Sequence, residues 1–84
     1  MRALEAIGAW LRRKTPQERH AQLSDRLEDA DHALQYARQE LARLRGRAHK
    51  DNRAIRRAQR RVNRLQRLTA RLRRGVDRVG KLLP

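Results

Sequence analysis

The chain contains no cysteine and no phenylalanine, one tryptophan (Trp10) and one tyrosine (Tyr36). Without cysteine there are no disulfides and no thiolate metal ligands. With so few aromatic side chains a deep globular core is hard to build, and 84 residues already make a small domain with a large surface. The two prolines stand at positions 16 and 84, so nothing between Gln17 and Leu83 forbids a helix. No apolar run approaches the roughly 20 residues that span a bilayer. The first 14 residues are too short and too basic for a secretory signal, so the expected compartment is the cytoplasm. No glycine-rich phosphate loop is present, and Thr15, Ser24 and Thr69 lack a plausible base and oxyanion partner. The chain is therefore expected to be a binding protein, not an enzyme, and to need no cofactor.

Acidic residues are also scarce, nine against 23 Lys and Arg, for a formal net charge of +14. The imbalance is confined to one half. Residues 1–45 carry nine basic and seven acidic side chains, a net of +2, whereas residues 46–84 carry fourteen and two, a net of +12. Such asymmetry points to an anionic partner for the second half.

What is abundant is Ala, Leu, Arg, Gln and Glu, the good helix formers. The reading is an all-α chain. Residues 2–14 form a short amphipathic helix, with Leu4, Ile7 and Leu11 on one face and Trp10 alongside. Thr15-Pro16-Gln17-Glu18 is a helix start, with Thr15 as N-cap, Pro16 in the first turn and Glu18 placed for a capping box. That helix is expected over about 16–45, with Gly46 as its stop. Asp51 or Asn52 caps the next one, expected over about 52–80, so 46–51 is a turn.

Apolar residues in both long helices recur with strict 3–4 spacing. The first seam is Leu23, Leu27, Ala30, Leu34, Ala37, Leu41 and Leu44; the second is Ile55, Ala58, Val62, Leu65, Thr69, Leu72, Val76 and Val79. This is the heptad pattern of a coiled coil, with Thr69 its only polar member. The phase also runs unbroken through Ala48 and Asp51, which permits one long helix in a parallel dimer. That alternative sets Asp51 against Asp51 in the seam, a costly like-charge pair. An antiparallel hairpin instead matches large residues with small ones, Leu41 with Ala58 and Ala37 with Val62, and brings Glu40 near Arg61. The hairpin is preferred. Because each helix hides only one stripe, association into an oligomer is expected.

With the seam fixed, Lys50, Arg57, Arg64, Arg71 and Arg78 share one outer heptad position, and Arg53, Arg60, Arg67, Arg74 and Lys81 the neighbouring one. Together they make a cationic rail roughly 40 Å long. Outer positions of any such helix are charged, but a merely solvated face mixes signs, and this one has almost no acids. The expected partner is the DNA or RNA backbone, contacted at phosphates with little sequence preference. Missing aromatics argue against stacking on single-stranded bases, and no zinc-finger, homeodomain or RNP-type signature is present. Two other functions fit the same residues. One is a regulator or inhibitor that docks on an acidic protein surface. The other is a membrane-surface protein held by Leu4, Ile7, Trp10 and Leu11, although the same segment equally suits packing against the hairpin through Trp10, which is preferred, or docking on another protein. Asp25, Glu28, Asp29 and Asp31 read as a solvated acidic face. His20, His32 and His49 are not spaced for zinc, and His20 reads as a half-buried residue extending the seam by one layer.

Overall fold

The computed structural model describes residues 15–84, and the expected helix over 2–14, with Leu4, Ile7, Trp10 and Leu11, lies outside them. Two helices account for the described chain: α1, Pro16–Arg45, and α2, Asn52–Gly80. They pack against each other as a hairpin, with no strand among the described residues.

α1 begins as its first residues dictate. Thr15 is extended, its Oγ1 accepts from the Glu18 backbone N–H at 3.2 Å, and Pro16 fills the first turn where no donor is needed. Arg43 and Arg45 occupy the last turn, where cations suit the carbonyl end of the helix dipole. Gly46 closes it, but with φ −83° and ψ −5°, not in the left-handed conformation that usually selects glycine there. Its N–H donates to the Ala42 carbonyl at 3.0 Å, and the chain leaves the helix through the next residues.

The continuous-helix alternative is excluded here. Residues 46–51 are non-helical, and Asp51 starts α2 by accepting from the Arg53 and Ala54 N–H groups at 3.0 and 3.2 Å. The residue that would have been a buried like charge in a parallel dimer is instead an exposed N-cap. α2 then runs through Gly75, because nothing there forbids it. A Cβ built on Gly75 would lie 3.6 Å from Leu23 Cδ1, an ordinary van der Waals contact.

Cross-helix contacts give the antiparallel register. Arg45 reaches Gln59 near the turn, Asp31 reaches Arg73 in the middle, Leu23 lies against Gly75, and His20 lies by Gly80 at the open end. Every seam residue of both helices is buried or half-buried, and His20 is half-buried with them. The core is Leu34, Ala37, Leu41 and Val62, with Ile55, Ala58 and Leu65 packed on it. Burying a Leu or Val side chain fully is worth about 1.5–3 kcal/mol, and a single layer supplies few such residues. One seam member has no compensation. Thr69 is 5% exposed and its hydroxyl finds no hydrogen-bond partner.

Candidate functional site: the cationic face of α2

A helix turns 100° per residue, so side chains three and four apart lie on one face. Once α2 turns Val62, Thr69 and its other seam residues toward α1, the outward face is decided. Arg53, Arg57, Arg60, Arg64, Arg67, Arg71, Arg74 and Arg78 all fall on it, and all are exposed. At 1.5 Å per residue they cover roughly 38 Å, one cation every 5 Å or so. Lys50 is exposed too, but it precedes the Asp51 N-cap and so belongs to the turn, not to the helical stripe. Lys81 caps the C-terminal end of α2, its N–H donating to the carbonyls of Asp77 and Val79.

Three of the nine described arginines off the rail have partners in the fold. Arg43 holds Glu40 at 2.6 Å, Arg73 lies 3.7 Å from Asp31, and Arg45 donates to Gln59 Oε1 at 2.8 Å. Gln59 in turn donates to Asn63 Oδ1 at 3.0 Å. Among the described residues no member of the rail enters an ion pair; Arg67 alone bends back, its Nε donating to the Asn63 carbonyl at 3.4 Å. The rail also lacks internal relief. Like charges three or four apart on a helix cost roughly 0.2–0.5 kcal/mol per pair, and seven such steps join Arg53 to Arg78. That is on the order of 2 kcal/mol of repulsion at low salt, which a bound polyanion would remove.

Glu40 shows the opposite situation. The hydrogen bond from Arg43 holds its carboxyl below the usual value, opposed by desolvation and assisted by the nearby charges of Arg43, Arg47 and Arg61. The expected approach of Glu40 to Arg61 is thus present as a Coulombic influence, while the contact itself goes to Arg43, one turn away on the same helix.

The acidic cluster of α1 does not converge. Asp25, Glu28 and Asp29 are exposed, while half-buried Asp31 turns to Arg73 and shares a shallow depression with Ser24, Leu27, Glu28, His32 and Gln35. Among the described residues no group of three His, Asp or Glu side chains is placed to hold a metal ion. No described helix is long and apolar enough to cross a membrane.

Sequence reasoning overlooked one feature of this face. Leu68 is one position outside the seam and 42% exposed, and with Leu65 it forms the floor of a shallow groove rimmed by Arg61, Arg64, Arg67 and Arg71. The signal was an apolar residue at a flanking heptad position, where Arg61 stands one heptad earlier. No family profile, curated protein or solved structure matches the chain.

Proposed function

We propose that this chain is a non-catalytic binding protein that contacts the phosphates of double-stranded nucleic acid through the α2 rail. The observation that carries the reading is the one-sign face: eight exposed arginines in helical phase, none ion-paired within the described hairpin. Duplex nucleic acid presents one negative charge per ~1.7 Å of axis, dense enough to meet cations 5 Å apart. Guanidinium groups suit phosphate because they donate two parallel hydrogen bonds and stay charged. The rail has no aromatic side chain among its cations, so the contact reads backbone and shape, not bases. In this reading the protein acts in the cytoplasm. The hairpin is an antiparallel coiled coil that associates with further copies, because two helices bury only one stripe each.

The test separates position from net charge. Arg57→Glu, Arg64→Glu and Arg71→Glu are combined on α2. Arg19→Glu, Arg26→Glu and Arg38→Glu are combined on α1, changing the net charge equally. Binding to a random duplex and to an RNA hairpin is then followed across a salt series. The parent should bind at micromolar or tighter, with an affinity that falls steeply with salt. The α2 triple should lose at least about a hundredfold and flatten the slope by roughly three, and the α1 triple should do much less. Equal losses in the two triples would reduce the effect to net charge and sink the rail.

A further inference from the structure

The groove over Leu65 and Leu68 does not suit a phosphate backbone, which has no apolar group to place on its floor. Leu68 is one of three large apolar side chains exposed among the described residues, with Tyr36 and Leu82. Half-buried Leu65 lies beneath it, one turn earlier on the same helix. The rim is Arg61, Arg64, Arg67 and Arg71, and no carboxylate lines the groove. The groove is concave, so it accepts an apolar group and does not wedge one into a stack of bases. An apolar floor framed by four cations asks for an apolar anchor carried between anions.

We propose that this groove is a docking site for an acidic amphipathic helix of a partner protein. The charge complementarity is specific in kind. Carboxylates take bidentate hydrogen bonds from the rim guanidiniums, and a Leu- or Met-type anchor covers Leu68. Arg61 to Arg71 spans ten residue steps, about 15 Å, which matches about three turns of a partner helix. Anchors at i, i+3 or i+4, and i+7 reach along that length. Arginine is among the residue types enriched at binding hot spots, and the rim supplies four of them around the apolar contact. The inference goes beyond the phosphate reading. Because Arg64, Arg67 and Arg71 belong to both surfaces, a docked helix displaces a duplex from the middle of the rail.

The experiment uses the full chain and a fluorescent synthetic peptide of about 15 residues, with Leu on one helical face and Glu flanking it. A scrambled peptide of the same composition removes the amphipathic face and keeps the charge. The patterned peptide should bind at least about tenfold more tightly than the scrambled one. Leu68→Ser keeps every charge and changes an exposed residue, so helicity by circular dichroism should be retained. It should erase the preference for the patterned peptide while leaving duplex affinity intact. Equal binding of the two peptides, or an unaltered preference in Leu68→Ser, would show a charge effect alone and overturn the docking site. Loss of duplex affinity in Leu68→Ser without any peptide preference would assign the apolar floor to nucleic acid instead. Tighter peptide binding by Trp10→Ala would mean that the chain's own first residues compete for the groove, and would overturn its assignment to a partner.

Discussion

α1 and α2 are nearly equal in length, 30 and 29 residues, and they share one packing seam. Their other faces differ in kind. α1 carries six acidic and five basic side chains, and two of its acids find partners: Glu40 with Arg43 on the same helix, and Asp31 with Arg73 across the seam. α2 carries one acid and eleven arginines, most of them stacked along one line. Burial is uneven as well. Ala30, Leu34, Ala37 and Leu41 of α1 are buried, against Val62 and Thr69 of α2. α2 leaves Leu65 and Leu72 half-exposed and Leu68 open. Packing against α1 needs one stripe of a helix and no more. A helix whose remaining surface were merely solvated would mix its charges and gain stability from pairs three and four apart. α2 forgoes that gain over most of its length, and this difference is what the proposed contact with an anionic partner rests on.

The largest effect should come from breaking the seam both helices depend on. Leu41→Ala removes a 5%-exposed side chain from the core. Such truncations cost about 2–5 kcal/mol, which rivals what a domain this small commands. Circular dichroism should show helicity lost from α1 and α2 together, since neither is expected to hold alone in water. If half the helical signal survived, the two helices would be independent and the hairpin would not be the unit of stability.

A smaller effect, of opposite sign, should follow from making the buried set of α2 as apolar as that of α1. Thr69→Val keeps the shape and deletes the unpartnered hydroxyl. A buried unsatisfied group costs about 1–3 kcal/mol, so the substitution should raise the melting temperature by several degrees in a chain of this size. An unchanged or lowered melting temperature would mean that the hydroxyl has a partner in solution.

The smallest effect probes the charge pairing of α1. Glu40 has a lowered carboxyl pKa in the fold, with Arg43 its main cause and Arg61 contributing. A carboxylate with a lowered folded value stabilises above its unfolded value, ordinarily 4.5, and loses that contribution as pH falls through the folded value. Glu40→Gln should therefore melt slightly below the parent near neutral pH, and the difference should close under acid. Since Glu40 and Arg43 meet at the surface, salt should shrink it too. A gap that persisted at low pH and high salt would have to come from packing.

Both long helices and their ends were legible in the linear chain because their signals are local. A cap such as Thr15 or Asp51 acts within three residues, Pro16 acts on its own φ, and a 3–4 apolar spacing marks a face whatever that face meets. The arginine rail was legible for the same reason, since phase along one helix is a property of that helix alone. Three features needed the second helix to be in place. The heptad phase ran without interruption through Ala48 and Asp51, so periodicity alone permitted a long helix as readily as a hairpin. The choice rests on cross-helix contacts such as Arg45 with Gln59 and Leu23 against Gly75. The ion pairs of α1 depended on which neighbour was nearer, and for Glu40 this was Arg43 on its own helix, not Arg61. The groove at Leu68 depended on how much of α2 was left uncovered. Composition, caps and periodicity thus determined that two helices form and which face of α2 carries charge, because those effects reach only a turn or two along the backbone. Seam matching and the Asp51 position favoured a chain that folds back on itself; tertiary structure alone decided which contacts close it and that Leu68 stays open among arginines, because burial depends on what another part of the chain brings alongside.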